Sequence, residues 1–460
     1  MRANAAKSPN GEVHNSRTLQ NHLIRAELAG ARMLGRRACG IMADMEKLAI
    51  IGGGAAGLAA AIAAGRALRE GGKAAEVVVY ERDERVGRSI LATGNGRCNF
   101  SNAQVDAGFY RNGTFVGASL LELAAQQGSG DDPVHAFFGD LGLAWREESE
   151  GRLYPLANKA TSVLDVLRAA AAVAGVREAC GRQAVRVDVP TEAGGRFHIR
   201  FVDGAVEHAD AVIVAVGGRA LAGIELPGAL PASAPAPVLG PLRTDPRVTR
   251  QLNNIRVRCA VSLSAPDGVE RAREQGELLF RDYGVSGIAV FNLSRFARPG
   301  DMLLVDLLPS VEVDEVESFL YSRRKRLAAD GRALDGDAFL RGLVLPAVGR
   351  AVLREAGIPP EAPFGKGEVP ALARALKGLA LEVRGIGDER QCQVWRGGLD
   401  VGAFEPRACE AHEVPGLFAA GEALDVDAPC GGYNLHWAWA SGILAGRAAV
   451  ARLADGGAHA

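Results

Sequence analysis

Three glycines, Gly52, Gly54 and Gly57, have the spacing of a turn that binds phosphate. They lie in LAIIGGGAAGL, residues 48–58, where an apolar run precedes the glycines and an alanine-rich segment follows them. This pattern predicts a strand, a tight turn and a helix. Gly52 permits the turn, Gly54 lets the backbone approach a pyrophosphate, and Gly57 allows the helix and strand to pack closely. The pyrophosphate is expected at the positive N-terminus of the helix.

An acidic residue after the next apolar run supports a dinucleotide ligand. The run AEVVVYE ends at Glu81, about where this fingerprint places the carboxylate that binds the ribose hydroxyls. A glutamate at this position favours an unphosphorylated ribose, as in FAD or NAD. The fingerprint alone does not choose between the two.

The C-terminal part of the chain favours FAD. Residues 415–446 read as a short strand, a Gly-Glu turn, a glycine-rich loop and a helix of small residues. If Gly431 and Gly432 open a helix near Tyr433, its unpaired N–H groups can hydrogen-bond the flavin pyrimidine edge, where negative charge develops on reduction. Two glycine-marked helix starts suggest a long cofactor with two ends. The alternative for the second is an ordinary capping turn.

Several ordered motifs carry a resemblance to a known family. They are TGNGRCNFSN from Thr93, RLYP from Arg152, AVGG from Ala215, GELLFRDYGVSG from Gly276, and DVDAPCGGYN from Asp425. In these motifs the chain resembles the BaiN/YhiN-like, or HI0933-like, FAD-dependent oxidoreductases over about residues 46 to 452. The segment after Gly218 departs from the pattern, because it lacks the family's usual Ser/Gly-rich stretch and is shortened. The role of that loop is therefore open.

The resemblance implies an α/β fold with a Rossmann-like FAD-binding domain of the glutathione reductase type and an inserted second domain. The periodicity switches toward two from Val238 to Leu308, which predicts an antiparallel β insert, and helical patterns from Glu312 to Leu379 predict a helical subdomain. Length agrees, since 460 residues are too many for one ordinary domain. The expected divisions are an N-terminal extension (1–44), the first part of the FAD domain (45–222), the β insert (223–312), the helical subdomain (313–384) and the second part of the FAD domain (385–460). The segments LEVRGIG and QCQVW, residues 381–387 and 391–395, are expected to return the chain to the FAD domain.

The resemblance also assigns FAD contacts residue by residue. The glycine turn is expected to hold the pyrophosphate, Glu81 the adenosine ribose, and Glu422 the ribityl or pyrophosphate region. The full set of expected cofactor contacts is Gly52, Gly54, Ala55, Ala56, Gly57, Glu81, Arg82, Arg88, Thr93, Gly94, Gly96, Arg97, Cys98, Asn99, Gly217, Gly421, Glu422, Gly431, Gly432, Tyr433 and Asn434. Reduced nicotinamide, NAD(P)H, could serve as the electron donor. The sequence has no second glycine fingerprint to bind it, so its binding beside the flavin is expected to be transient.

Catalytic side chains are less clearly marked, because the flavin carries the hydride and the protein supplies placement and electrostatics. Tyr433 could donate a hydrogen bond to a substrate carbonyl, and His436 could transfer a proton or be a packed core histidine. Cys98 could form a redox pair with Cys430, or both could be inert. Arg97 could bind a cofactor phosphate or substrate carboxylate, or could pair with a neighbouring loop acid.

Composition excludes several classes of protein. A net charge of −1 gives no electrostatic case for nucleic acid, and the sequence has no apolar run long enough for a membrane helix. The seven cysteines show no CxxC or Cys/His clustering, so no metal site or disulfide framework is expected and a reducing cytoplasm fits. The arginine-rich extension reads as a dispensable tail or mis-assigned start, with a transit peptide as the alternative.

The sequence therefore predicts an FAD-dependent oxidoreductase acting on a small organic molecule, with the flavin reduced by NAD(P)H or by the substrate. A flavin-binding sensor or accessory protein without turnover is the alternative. The sequence leaves the substrate and the oligomeric state open.

Overall fold

The computed structural model describes residues 45–128, 130–190, 195–228, 230–329 and 334–456. The predicted N-terminal extension, residues 1–44, lies outside this part of the chain. Among the described residues, no helix is long and apolar enough to cross a membrane.

A twisted seven-stranded sheet forms the centre of a Rossmann-like half. Its strands, in spatial order, are Phe404–Glu405, Glu410–Ala411, Leu417–Ala419, Ala211–Val214, Glu46–Ile51, Ala75–Glu81 and Arg177–Cys180. The strands from Leu417–Ala419 to Arg177–Cys180 pair in parallel. In the pair Glu46–Ile51 and Ala75–Glu81, Ile50 lies opposite Val79. Parallel strands are covered on both faces, which explains why VVV and AVIV read as continuous apolar runs.

Among the helices of this half, Ala55–Glu70 and Tyr433–Gly456 pack on the sheet, and others pack around them. The helices of this half are Ala55–Glu70, Arg88–Ala92, Gly113–Gln127, Pro133–Asp140, Ala160–Val173, Gly218–Leu221 and Tyr433–Gly456. Smaller sheets are attached to it, one of Ser101–Asn102, Arg152–Pro155 and Trp145–Glu147 and another of Ala184–Asp188, Phe197–Phe201 and Val206–Ala209. The strand–turn–helix–strand unit predicted at residues 48–81 is present as Glu46–Ile51, Ala55–Glu70 and Ala75–Glu81.

We call Ala55–Glu70 the first helix and Tyr433–Gly456 the last helix. They pack against each other through glycines of the last helix: a Cβ on Gly442 would lie 2.3 Å from the Ala56 carbonyl oxygen, and one on Gly446 would lie 2.3 Å from that of Ala60. Such a close approach is possible only without side chains. The two helices predicted to hold opposite ends of a cofactor are thus joined directly.

The second half is built on a closed antiparallel barrel. Its strands are Leu242–Thr244, Gly284–Ser286, Glu270–Arg281, Arg256–Ser264, Met302–Asp306 and Leu379–Ile386, in that order around the barrel. In chain order, its last two strands are separated by the helices Val316–Ala328, Gly336–Leu340, Pro346–Glu355 and Val369–Lys377. Earlier strands are separated by the short helices Pro246–Thr249 and Ile288–Ser294. The antiparallel insert expected from the switch to alternating periodicity is confirmed.

The prediction that LEVRGIG returns the chain to the first domain is wrong. Leu379–Ile386 pairs with Met302–Asp306 and Leu242–Thr244 and closes the barrel. Closure removes the free edges that an open sheet would expose, and strand alternation alone does not show which sheet a strand will join. QCQVW leads into Val394–Leu399, which pairs with Ala232–Val238 as a separate ribbon between the halves.

Candidate active site

A cleft of about 1080 Å³ lies between the Rossmann half and the barrel. Its floor is made by the glycine turn before the first helix, the loop after Glu81, and the start of the last helix. Its other wall comes from the barrel, including Arg256, Glu277 and Ser286. A cavity of this size at the carboxyl ends of parallel strands is the place where a doubly wound sheet binds a ligand.

The glycine turn has the geometry of a phosphate cradle. Gly52 has φ +107°, and a Cβ there would lie 2.5 Å from the Ala215 carbonyl oxygen. A Cβ on Gly57 would lie 1.8 Å from the Gly52 oxygen, so Gly57 serves packing and does not line the cleft in the described structure. A Cβ on Gly54 would meet only the Ser89 hydroxyl oxygen, at 3.3 Å, and Gly54 opens to the cleft.

The first helix is free to bind an anion at its N-terminus. Among the described residues, no side chain caps Gly54, and the first turn of this helix contains no acidic residue. Ala55 and Ala56 also line the cleft. The N–H groups of this turn and the positive end of the helix dipole therefore suit a pyrophosphate.

Glu81 is fixed beside this turn at the end of its strand. Its Oε2 accepts a hydrogen bond from Gly53 N–H at 2.8 Å, and its Oε1 accepts one from Asp83 N–H at 2.9 Å. Both oxygens are thereby oriented, and lone pairs remain for a ribose hydroxyl. Arg82 lies next to it in the cleft lining.

The opposite end of the cleft is formed by the start of the last helix. Gly431 and Gly432 have φ +145° and +99°, and a Cβ on Gly432 would lie 2.2 Å from the Ser101 carbonyl oxygen. Both glycines line the cleft, together with Gly421 and Gly217. The helix begins at Tyr433, where the sequence placed it.

Asn434 lines this end of the cleft but uses its amide to hold a loop. Its Oδ1 accepts from Ala428 N–H at 2.9 Å, and its Nδ2 donates to the Ala428 carbonyl at 2.9 Å. Asn99 is the better candidate for a direct contact. Its Oδ1 is buried, Asn99 lines the cleft, and this oxygen has no hydrogen-bond partner among the described residues. A ligand N–H would satisfy it.

Glu422 lines the cleft beside Gly218 and Trp395. Burial raises the pKa of its carboxyl group to about 7, against hydrogen bonds from the backbone of Trp395 and Gly218 that lower it. A carboxyl group with this pKa can accept or donate a hydrogen bond near neutral pH. It therefore suits the hydroxyl-rich ribityl part of a flavin.

The structure divides the cofactor contacts expected between Arg88 and Asn99. Arg88, Thr93, Gly94, Arg97 and Asn99 line the cleft, whereas Gly96 and Cys98 lie away from it. Arg97 forms an ion pair with Glu148, donates to Asn158 Oδ1 at 2.6 Å, and lies 4.0 Å above the Tyr154 ring. Arg97 thus pairs with a neighbouring loop acid, which was the structural alternative to binding a phosphate or carboxylate.

Of the side chains proposed for catalysis, Tyr433, His436 and Cys98 lie away from the described cleft lining, whereas Cys430 belongs to it. Tyr433 packs its ring 5.0 Å from that of Phe109. His436 is fully buried, and burial lowers the pKa of its imidazole to about 4. Its position is explained by helical geometry, because His436 lies two positions from both Asn434 and Ala438, which line the cleft, and therefore points to the opposite side of the helix.

The proposed thiol pair has the wrong electrostatics for redox chemistry. Burial raises the pKa of Cys98 to about 11 and that of Cys430 to about 12. Reactive thiols instead have lowered pKa values. The cysteines in the described part of the chain, both of these included, are free.

Sequence reasoning missed the barrel side of the cleft. Leu279, Ile288 and Phe291 form an apolar wall, and Arg256 and Glu277 form an ion pair at 3.1 Å beside it. Glu277 and Leu279 fall inside the GELLFRDYGVSG motif, which was a signal that could have found them. Arg256 lies in a strand whose sequence gave no such signal.

Comparison with known proteins agrees with this geometry. The family described as HI0933-like protein Rossmann domain matches residues 46–448. A 3-dehydro-bile acid delta(4,6)-reductase from Clostridium scindens is 33% identical over 89% of this chain and 100% of its own length. A ribosomal RNA dihydrouridine synthase from Escherichia coli is 28% identical over 85% of this chain and 95% of its own length.

Among solved structures, the 3-ketosteroid-delta4-(5alpha)-dehydrogenase from Rhodococcus jostii RHA1 is similar at 16% identity, with a TM-score of 0.42 over 88% of this chain and 97% of that chain. A similarity of this size carries no argument about activity. The family match spans both halves and the cleft between them. This chain belongs to the HI0933-like family of Rossmann-fold, FAD-dependent oxidoreductases.

Proposed function

We propose that the protein binds FAD along the floor of the cleft and reduces a carbon–carbon double bond conjugated to a carbonyl in a small amphipathic anion. The observation that carries this proposal is that two long helices begin with glycines at opposite ends of one cleft. Gly52, Gly54 and Glu81 would hold the adenosine diphosphate. Gly431, Gly432 and Asn99 would hold the ring system.

When bound, the flavin supplies hydride transfer, and the chain supplies binding, orientation and exclusion of water. The N–H groups at the start of the last helix would stabilise negative charge on the flavin pyrimidine edge. Asn99 Oδ1 would accept a hydrogen bond there. The barrel wall covers this end of the cleft, so that Leu279 and Phe291 would exclude water from a bound substrate.

One arginine at the barrel wall of the cleft supports an anionic substrate. Most arginines of the described lining already pair with carboxylates: Arg88, Arg97, Arg152, Arg182, Arg256 and Arg390 pair with Asp83, Glu148, Glu150, Asp203, Glu277 and Asp388, respectively. Arg256 differs from the others in lying beside the apolar wall, where a substrate carboxylate could replace Glu277 as its partner. An arginine such as Arg256 beside an apolar wall suits a molecule with an apolar ring system and a carboxylate.

The names of the relatives indicate the reaction class. One relative is a bile acid delta(4,6)-reductase and another makes dihydrouridine, and both names describe saturation of a carbon–carbon double bond. The bile acid reductase fits the apolar wall and arginines found here. Reduced nicotinamide, entering the same cleft before the substrate, is the proposed electron donor.

A second candidate substrate is a uridine in ribosomal RNA. Relatives from Escherichia coli and Haemophilus influenzae carry that name at 28% and 26% identity. Arg88 and Arg390 are 71% and 87% exposed near the cleft and could contact phosphates. Binding of this kind would weaken steeply with salt.

Anaerobic mixing tests the proposal. The flavin-loaded protein is mixed with NADH or NADPH while the oxidised flavin absorbance is followed, and a 3-oxo-Δ4 bile acid or a uridine-containing RNA is then added. We expect bleaching by a nicotinamide and reoxidation by the bile acid, with a product two hydrogens heavier. Reoxidation by the RNA alone would favour the second candidate, and no bleaching or reoxidation with any of them would favour a sensor.

A matched pair of arginine variants tests where the substrate anion binds in the cleft. Arg256 lines the cleft, whereas Arg258 on the same strand is exposed and lies away from the described lining. Arg256→Gln should raise KM for an anionic substrate about 10-fold, because a charge-assisted hydrogen bond is lost. Arg258→Gln should leave KM unchanged. Equal effects of the two variants would contradict this placement of the anion.

A further inference from the structure

A cluster of two imidazoles and a carboxylate lies behind the start of the last helix. Asp132, His135 and His436 each bring one possible ligand atom, and these atoms lie within 4.8 Å of one another. Asp132 precedes the helix Pro133–Asp140, His135 is in its first turn, and His436 is in the first turn of the last helix. The residues come from distant parts of the chain, so sequence spacing gave no signal of the cluster.

The spacing of the three groups is too long for hydrogen bonds. His436 Nε2 lies 3.6 Å from Asp132 Oδ2, and His135 Nδ1 lies 3.7 Å from Asp132 Oδ1. Direct hydrogen bonds between such groups are shorter than about 3.2 Å. Ligands on neighbouring corners of a tetrahedral zinc ion, each about 2.0–2.1 Å from the metal, are separated by roughly 3.3 Å. The 3.6 Å between His436 Nε2 and Asp132 Oδ2 is close to that value.

Ser101 is the hydrogen-bond partner of the other nitrogen of each histidine ring. Its Oγ lies 2.8 Å from His135 Nε2 and 2.8 Å from His436 Nδ1. A hydroxyl oxygen has two lone pairs and can accept an N–H from both rings. Each imidazole would then have its unprotonated nitrogen toward Asp132, which is how an outer hydrogen-bond partner orients histidines that bind a metal.

One of the nitrogens that face Asp132 lacks a hydrogen-bond partner among the described residues. It is the Nε2 of His436, which is fully buried. Asp132 Oδ1 is already used, because it accepts from Val134 N–H at 2.9 Å and from His135 N–H at 3.0 Å. Asp132 Oδ2 remains available opposite the unpartnered nitrogen. When Ser101 accepts from both rings, His436 Nε2 is an acceptor that faces a second acceptor, which is unfavourable unless a cation lies between them.

We propose that Asp132, His135 and His436 bind a divalent transition-metal ion of the zinc class, with Ser101 orienting both histidines and water as a fourth ligand. Nitrogen and carboxylate oxygen ligands suit such an ion. Asp132 and His135 are 26% and 18% exposed, which gives the ion a path from solvent. Phe100 and Trp145 border the His135 ring.

The metal would act as a positioning element for the cofactor end of the cleft. His436 N–H bonds the Gly432 carbonyl at 2.9 Å, so the metal ligand and the glycine that lines the cleft belong to the same helical turn. Binding would join this turn to Asp132 and His135 on another helix. The site lies outside the cleft lining and does not depend on the proposed reaction.

Metal analysis of the flavin-loaded protein tests the site. After incubation with Zn²⁺ and dialysis, we expect about one zinc per chain by mass spectrometry, and a higher melting temperature with zinc than with a chelator. Asp132→Asn preserves a good helix cap and should fold, yet should lose most of the zinc. His135→Gln, at a partly exposed position, should lose it as well.

Two further variants separate this site from other histidine chemistry. Ser101→Ala should weaken zinc binding about 10- to 100-fold, as expected for loss of an orienting hydrogen bond. His208→Gln is the matched control, because His208 is exposed and its ring lies 4.5 Å from that of His198 in a small sheet elsewhere. It should retain zinc. Less than a tenth of an equivalent in the wild type, or full retention by Asp132→Asn and His135→Gln, would overturn the proposal.

Discussion

Arg295 Nε lies 2.7 Å from Asp427 Oδ1, and this ion pair joins the two halves of the molecule. Arg295 directly follows the barrel helix Ile288–Ser294, and Asp427 belongs to the loop before the last helix. Arg396 completes the cluster with hydrogen bonds of 2.8 Å to each Asp427 oxygen. Asp427 is fully buried, so the barrel wall of the cleft is fixed to its floor by a desolvated charge cluster.

Removing the central charge of this cluster should destabilise the protein. Asp427→Asn leaves two guanidinium groups facing a neutral amide, and breaking a buried pair costs about 3–5 kcal/mol. The free energy of unfolding from urea titration measures the change. Asp388→Asn, which removes the exposed pair with Arg390, should give no measurable change. Equal stability of the two variants would contradict the role given to Asp427.

The same cluster should make the protein sensitive to acid. Burial by itself raises the pKa of Asp427, but hydrogen bonds and charge from Arg396 and Arg295 outweigh it and lower the pKa below its ordinary value. A lowered folded-state pKa contributes stability that is present above about pH 4 and is lost as the pH falls through the lowered value. Urea titrations from pH 7 to pH 3 should show this loss in the wild type and a smaller one in Asp427→Asn.

Two glycine substitutions should separate cofactor binding from folding. Gly54 has an extended backbone, and its Cβ would meet only the Ser89 hydroxyl, so Gly54→Val should fold but fail to retain FAD. Gly57→Ala should instead destabilise the protein by about 1–3 kcal/mol, because its Cβ overlaps the Gly52 oxygen. Flavin content and melting temperature distinguish the two. Stoichiometric flavin in Gly54→Val would disprove the placement of the pyrophosphate.

Replacing Glu81 should weaken the cofactor without changing its spectrum. Both carboxylate oxygens accept backbone N–H groups, so Glu81→Gln directs an amide N–H₂ against one of these donors and removes the charge. We expect FAD to bind about 10- to 100-fold more weakly. The flavin absorbance should keep its shape, because Glu81 lies at the adenosine end. Glu84→Gln, at an exposed neighbouring position, is the control and should bind FAD normally.

The cysteines should contribute nothing to turnover. Because burial raises the pKa values of Cys98 and Cys430, both thiols are protonated at neutral pH. Cys98→Ala and Cys430→Ala should therefore be reduced by nicotinamide at the wild-type rate, and native protein should react slowly with thiol reagents. A loss of flavin reduction confined to Cys430→Ala would contradict this expectation.

The parts of the fold that could be predicted are those governed by local rules. Gly52 has the positive φ that its turn requires, and the last helix begins at Tyr433 after two glycines, because these conformations depend on residues close in sequence. The strands around Val78 and Ile213 were recognisable, since burial on both faces requires continuous apolar runs.

The parts that escaped prediction depend on contacts between distant residues. Leu379–Ile386 alternates like any half-buried strand, and only its pairing with Met302–Asp306 places it in the barrel. His436 follows a cofactor motif, yet helical geometry turns it toward Ser101 and Asp132. Arg256 and Phe291 reach the cleft only because the barrel is packed over it.

The close crossing of the first and last helices at Gly442 and Gly446 has a consequence for biosynthesis. A ribosome adds the strand and helix around Gly54 well over 300 residues before the helix around Gly432. The nascent chain can therefore present one anchor for the dinucleotide long before the other exists. We expect flavin loading to wait until the helix around Gly432 has been made, and products truncated before it to emerge without cofactor.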